Sequence, residues 1–291
     1  MGSQPDQPPL IVIVGETGSG KSALALDLAK HFDGQIIAAD SRTVYSGMDI
    51  GTAKPSPAER DRVAHYLVDI ISPDVVFTAA DFKRLAVLSI ETIAKQGKLA
   101  FLVGGSGLYI DAVLYDFSFA DKPNAKERQR LQELSIEELQ AELEARGIPL
   151  PTNVKNPRHL IRQLETGGMP AAERILRPNT LVLGLQLSSD ELKVRIHQRV
   201  QAMFAAGLEQ EVHALVGQYG WDCAVLQTIG YQEFQAYFSG EMSLTEVQVR
   251  IEKNTIQYAK RQRTWFKRNK SIHWLDKREE AVDLITAFLN K

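Results

Sequence analysis

The apolar runs at Leu10–Val14, Gln35–Ala39, Tyr66–Ile70 and Lys98–Val103 have the length and continuity of buried strands, and helix-patterned stretches at Ser22–His31 and Thr78–Gln96 alternate with them. That alternation predicts an α/β fold, a doubly wound parallel sheet with helices on both faces. Near Phe117 the pattern changes. Lys122 to Gly147 is charged, rich in Ala, Leu, Glu and Gln, and bounded by Pro123, Pro149, Pro151 and Pro157, which predicts an inserted helical piece. Thr180 to Leu187 is again a buried-strand pattern, so the chain re-enters the sheet. Ser188 with Asp190 and Glu191 starts a helix on which Arg195 and Arg199, four apart, share a face. Helices follow at Leu208–Tyr219, Gln232–Ser239 and Ser243–Arg268, then a short strand at Ser271–Leu275 and a closing helix at Lys277–Leu289. The expected division is an α/β core over 10–117 and 178–291 with a helical insert over 118–177.

Composition narrows the class. With 291 residues, 44% of them hydrophobic and 24% charged, the chain can bury a substantial core as one large α/β domain with an appendage or as two modest domains. A net charge of −2 argues against a globally basic nucleic-acid coat and leaves local patches open. Cys223 is the only cysteine, so an intramolecular disulfide and a Cys-based zinc site are excluded, in keeping with a reducing compartment. No apolar run reaches the ~18 residues of a membrane span, and Met1–Pro9 has no signal-peptide pattern. The expectation is a cytoplasmic protein with no membrane contact and a frayed N-terminal tail.

The most specific chemistry lies in Gly15-Glu16-Thr17-Gly18-Ser19-Gly20-Lys21-Ser22, which fits G-x-x-x-x-G-K-[ST] between a strand and a helix. Successive N–H groups of such a loop, the helix N-terminus behind it and Lys21 cradle phosphate, and the Ser22 hydroxyl suits Mg²⁺. The motif alone leaves open whether the ligand is a polyphosphate or a diphosphate. Asp40 ends the second strand on the same sheet edge, where its carboxylate could serve as a general base or hold metal-bound water, and it opens the polar segment Ser41-Arg42-Thr43-Val44-Tyr45. Val103 to Tyr109 is a second Gly-rich strand-to-helix turn, containing Ser106. From Lys253 to Leu275 there is no acidic residue. Lys253, Lys260, Arg261, Arg263, Lys267, Arg268 and Lys270 are basic there, with Tyr258, Trp265 and Phe266 interleaved, the footprint of a nucleic-acid backbone.

Taken together, the phosphate loop, Asp40-Ser41-x-x-x-Tyr45, Met48 to Pro55, His65 to Asp69, Ala79 to Phe82, Gly104 to Tyr109, Ile229-Gly230-Tyr231 and Gln257 to Trp265 resemble the bacterial tRNA dimethylallyltransferases. The matches run in family order from about residue 11 to 276. The resemblance implies a P-loop NTPase-like parallel sheet flanked by helices with a small helical insert. It implies transfer of a dimethylallyl group from dimethylallyl diphosphate, with Mg²⁺, to N6 of adenosine 37 beside the anticodon of tRNA. Carried over residue by residue, Asp40 matches the general base, and Thr17 and Arg199 match groups that hold the diphosphate in the loop Gly15 to Ser22. Asp40, Ser41, Arg42, Thr43, Ser106, Arg128 and the run Arg158, His159, Leu160, Ile161 and Arg162 match positions that contact tRNA. Lys260, Arg261 and Arg263 join them through the basic stretch. A monomer binding the tRNA anticodon stem-loop is expected. Glu16 departs from the family, which places an uncharged residue there; beside a diphosphate its carboxylate is repulsive unless it points outward.

Two other enzymes and a binding module compete with this reading. A small-molecule kinase uses the same loop for ATP and leaves the basic C-terminal helix idle. An isopentenyltransferase acting on a free adenine nucleotide shares the chemistry and needs no RNA-binding surface. A non-catalytic RNA-binding module gives no role to Lys21, Ser22 and Asp40 together.

Overall fold

The structure, a computed structural model, describes residues 7–117, 119, 125–168 and 174–291. Six strands form one parallel sheet in the order β3-β2-β4-β1-β5-β6. They are β1 (Leu10–Gly15), β2 (Gly34–Ala39), β3 (His65–Tyr66), β4 (Leu99–Gly104), β5 (Thr180–Leu185) and β6 (Ile272–Trp274). Among the described residues, twelve helices connect and follow them. The first four are α1 (Lys21–His31), α2 (Pro57–Arg62), α3 (Ala79–Lys95) and α4 (Gly107–Leu114). Then come α5 (Ala125–Glu133), α6 (Ile136–Ala145) and α7 (Pro157–Glu165), followed by α8 (Ser189–Ala205) and α9 (Leu208–Tyr219). The chain closes with α10 (Phe234–Phe238), α11 (Leu244–Phe266) and α12 (Glu280–Leu289).

Alternate strand residues feed two cores, as a period of two demands. Leu10, Val12, Val14, Ile37, Ala39 and Leu102 face α3, α4 and the end of α11 through Phe82, Ala86, Ile110 and Phe266. Ile11, Ile13, Phe101, Val103, Leu181 and Leu183 face α1 and α12 through Leu24, Leu28, Ala281 and Ile285. Central strands are buried on both faces and read as unbroken apolar runs, which is why the sequence located them. A third core joins α8, α9, α10 and α11 around Ile196, Val212, Tyr231, Phe234 and Ile251.

The chain divides into two compact units, one of residues 1–115 with 176–291 and one of residues 116–175. The smaller unit has its own core of Leu131, Leu139, Leu143, Leu160, Ile161 and Leu164. Among the expected boundaries, the start of the insert at Lys122-Pro123 and the first six residues of the expected tail lie outside the described residues.

Two local expectations are corrected. The strand expected over Tyr66–Ile70 pairs only at His65–Tyr66, because Leu67 (φ 61°) and Asp69 (φ 56°) adopt left-handed backbone that cannot continue a ladder. Asp69 is held there by Lys54 Nζ at 2.5 Å and Arg60 Nη1 at 2.7 Å. At the N-terminus, Gln7 and Pro8 are tied down rather than frayed: their carbonyls accept from Asn179 Nδ2 (3.0 Å) and Arg177 Nη2 (2.8 Å).

Candidate active site

Sheet register brings the site loops together. Gly104 pairs with both Val14 of β1 and Ala39 of β2, so the phosphate loop, Asp40 and the Gly104–Gly107 turn leave the sheet at one carboxyl edge. Gly18 (φ 89°) and Gly20 (φ 87°) take left-handed backbone that a side chain would strain, and Ser19 N–H closes the turn on Glu16 O at 3.0 Å. Gly20 caps α1 without a side-chain hydrogen bond, so no cap side chain competes with an anion for the first-turn N–H groups. Lys21 Nζ lies 3.4 Å from Glu16 O. Burial pushes the Lys21 ammonium down to about 8, against the pull of Asp40 and Glu16 and with the help of Arg199.

Thr17, Lys21, Ser22, Asp40, Thr43 and Arg199 line one cleft of about 80 Å³. The structure thus places the expected base, the loop and the expected diphosphate arginine around a common space. Asp40 Oδ1 accepts from Arg42 N–H at 2.9 Å, a short loop that orients the carboxylate. Ser41 N–H donates to Ser106 Oγ at 3.0 Å, and Arg42 Nε donates to Thr228 Oγ1 at 3.1 Å. The Thr43 hydroxyl is buried without a partner among the described residues. Arg199, on α8, donates to Thr52 O at 3.2 Å, and burial lowers its pKa while Asp40 opposes the shift. Arg195, on the same helix face, is exposed beside Gly20 and does not line this cleft.

Among the described residues no group of three or more His, Cys, Asp and Glu could hold a metal. The cleft offers the Ser22 hydroxyl, which suits Mg²⁺ taking its remaining ligands from a diphosphate and water.

Several expected contacts are relocated. Glu16 does not point outward: its side chain is buried, ion-paired to Arg263, with Nε donating at 2.6 Å and Nη2 to the other oxygen. Arg263 also donates to Leu187 O at 2.9 Å, so it faces the phosphate loop and is not one of the exposed cations of α11. Phe266 belongs to the sheet core at 2% exposure, and Leu160 and Ile161 to the core of the smaller unit. Helical periodicity separates them from their neighbours. Arg158, His159 and Arg162 lie on the exposed side of α7, Lys260 and Arg261 on the exposed side of α11, while Arg128 meets Glu165 at 3.3 Å.

Two side chains outside the expected set organise the site. Gln262 accepts from Thr17 N–H at 2.8 Å through Oε1 and donates to Gly105 O at 2.9 Å through Nε2, joining both glycine-rich turns to α11. It lies within the Gln257–Trp265 motif, where its uncharged amide interrupts a basic run. Glu211 accepts from the N–H groups of Asp49 (3.0 Å), Ile50 (2.7 Å) and Gly51 (3.0 Å) and from Tyr231 Oη (2.7 Å), fixing the loop whose Thr52 receives Arg199. Nothing local marks it. Gly107 is needed because any Cβ there would strike the Trp265 indole, whose Nε1 donates to Asp111 at 3.0 Å.

The chain has known relatives. Residues 43–269 match the family model described as IPP transferase. The chain belongs to the IPP transferase family. It is 41% identical to a tRNA dimethylallyltransferase of Roseiflexus sp., over 97% of this chain and 99% of that one, and 37% identical to that of Bacillus subtilis, over 92% and 90%. The solved tRNA isopentenylpyrophosphate transferase of Bacillus halodurans superposes with a TM-score of 0.75 at 35% identity, covering 97% of each chain. A eukaryotic dimethylallyltransferase acting on tRNA superposes with a TM-score of 0.77 at 25% identity, covering 92% of this chain and 73% of that one. The sheet is therefore the P-loop NTPase-like sheet of IPP transferases, and the family match extends through the Gly104–Gly107 turn and α11.

Proposed function

We propose that this protein is a tRNA dimethylallyltransferase, moving a dimethylallyl group from dimethylallyl diphosphate to N6 of adenosine 37 beside the tRNA anticodon. The observation that carries the reading is the shared cleft of Lys21, Arg199 and Asp40, which sets two cations for a leaving diphosphate against one carboxylate for a nucleophile. The N6 nitrogen attacks the allylic C1, the C1–O bond breaks, the diphosphate departs with the bonding pair, and the N6 proton passes to the Asp40 carboxylate. An exocyclic adenine amine is a poor nucleophile, so a base at that point lowers the barrier, and the loop N–H groups, Lys21 and Arg199 stabilise the charge that develops on the leaving oxygen. Thr17 helps hold the diphosphate. Ser22 would hold Mg²⁺, which would supply further neutralisation of that charge.

The target base must leave its stack to reach the cleft, so cations and hydroxyls around the entrance hold the RNA. Ser41, Arg42, Thr43 and Ser106 adjoin the base-binding end. Lys260 and Arg261 on α11 and Arg128, Arg158, His159 and Arg162 on the insert grip the anticodon stem-loop. The enzyme acts as a monomer in the cytoplasm; no helix of the described residues is long and apolar enough to cross a membrane.

Incubation with dimethylallyl diphosphate, Mg²⁺ and total tRNA, followed by mass spectrometry, should yield N6-dimethylallyladenosine, with no product when AMP replaces tRNA. Phosphoryl transfer from ATP without prenylation would overturn the proposal.

A further inference from the structure

A carboxylate inside a phosphate-binding loop opposes its ligand unless something cancels its charge. Glu16 has a side chain 1% exposed and is held on three sides: Arg263 Nε at 2.6 Å, Arg263 Nη2, and Leu187 N–H at 3.5 Å just beyond β5. Its backbone carbonyl is the polar group that meets Lys21 Nζ, and also receives Ser19 N–H. One residue therefore joins two interactions, a side chain locked to α11 and a carbonyl turned to the ammonium. Next along α11, Gln262 holds Thr17 N–H, so two consecutive helix residues grip two consecutive loop residues. An arginine fork on a carboxylate fixes direction as well as distance.

We propose that Glu16 and Arg263 are a positioning pair for the transfer reaction: the guanidinium holds the loop peptide of Glu16 so that its carbonyl keeps the Lys21 ammonium aimed into the diphosphate cleft. This rests on the reading of the cleft as the donor site. Arg263 acts on the donor and not on RNA, although it sits between basic residues of a helix assigned to RNA. Loss of Arg263 leaves Glu16 as a buried unpaired anion beside the phosphates, so it should harm more than loss of both partners together.

The experiment compares wild type, Arg263→Ala, Arg263→Lys and the double variant Glu16→Ser with Arg263→Ala. It measures inorganic diphosphate binding by calorimetry, KM for dimethylallyl diphosphate, kcat, and tRNA binding against salt. Arg263→Ala should weaken diphosphate binding and raise the donor KM by about tenfold or more, with tRNA affinity and its salt slope unchanged. The double variant should recover the part of that loss due to the unpaired anion and keep the part due to the lost fork, so that it falls between Arg263→Ala and wild type. Arg263→Lys, which keeps the charge without the fork, should fall between and keeps the test usable if Arg263→Ala fails to fold. The proposal is overturned by a flatter salt slope with an unchanged donor KM. It is also overturned by losses that add in the double variant, or by lost thermal stability with no change in diphosphate binding. Calorimetry reads the pair whether or not transfer occurs, so failure of wild type to prenylate tRNA would sink the functional reading separately.

Discussion

The strand-end site and the helical insert use charge in opposite ways. At the site, buried or half-buried groups are held from distant parts of the chain: the Glu16 carboxylate by Arg263, Thr17 N–H by Gln262 and the 49–51 backbone by Glu211. In the insert, Glu127, Arg130, Glu142 and Arg146 form an exposed cluster among nearby residues, in which Arg130 and Arg146 draw the Glu127 carboxyl down to about 2. Exposed networks of that kind are screened by salt and contribute little each, whereas the buried groups are costly to disturb singly. The site is specified by long-range geometry; the insert by local helix patterning and its small leucine core.

Asp40→Asn gives the sharpest test of the site side of this contrast, with kcat expected to fall by about 10²-fold or more while donor affinity holds. Single-turnover rates and donor titrations separate the two effects; near-normal turnover would remove Asp40 from the mechanism. Lys21→Ala and Arg199→Ala should each weaken donor binding and cost roughly 2–4 kcal/mol of transition-state stabilisation, read from kcat/KM. On the insert side, Leu160→Ala should destabilise the smaller unit by about 2–4 kcal/mol in hydrogen exchange while the sheet amides keep their protection. A loss confined to tRNA affinity would instead restore Leu160 as an RNA contact.

Acidity distinguishes the regions as well. Burial lowers the Lys21 pKa from 10.5 to about 8, so the folded free enzyme starts to lose this proton before the unfolded chain does. Its contribution to stability is unfavourable below about pH 8 and is relieved as the pH rises towards 10.5, since the unfolded state binds more protons across that window. Donor binding runs the other way: kcat/KM for dimethylallyl diphosphate should decline above about pH 8, and Lys21→Ala should flatten that limb. The smallest effect belongs to α11. Replacing Lys260 and Arg261 with Ala should reduce the log–log salt slope of tRNA binding by roughly 0.7–0.9 for each phosphate that these cations neutralise, and Arg130→Ala in the insert should leave transfer unchanged.

The central strands were legible because burial on both faces writes a continuous apolar run, and the phosphate loop because its glycines and lysine occur at fixed spacing between a strand and a helix. The third strand was overextended. Leu67-Val68-Asp69 is apolar enough for a strand, but Leu67 and Asp69 take left-handed backbone, and Asp69 is held by Lys54 and Arg60 from the segment just before the strand. The basic stretch of α11 was visible as composition, yet composition is blind to which side of a helix faces the sheet. Arg261 and Arg263, two positions apart, point to different surroundings for that reason, and Leu160 and Ile161 beside Arg158 and Arg162 repeat the lesson in α7.

By itself, the sequence determined the order of the strands and of the long helices, the phosphate-loop motif, the acid that follows β2 and the family to which they belong, because these depend on spacing along the chain. Only the tertiary structure decided that Gln262 and Arg263 serve the phosphate loop, that Glu16 is neutralised, and that Glu211 holds the loop opposite Arg199. Those pairings join residues up to 247 positions apart. Their existence follows from sheet register and helix packing, which no local pattern of residues encodes.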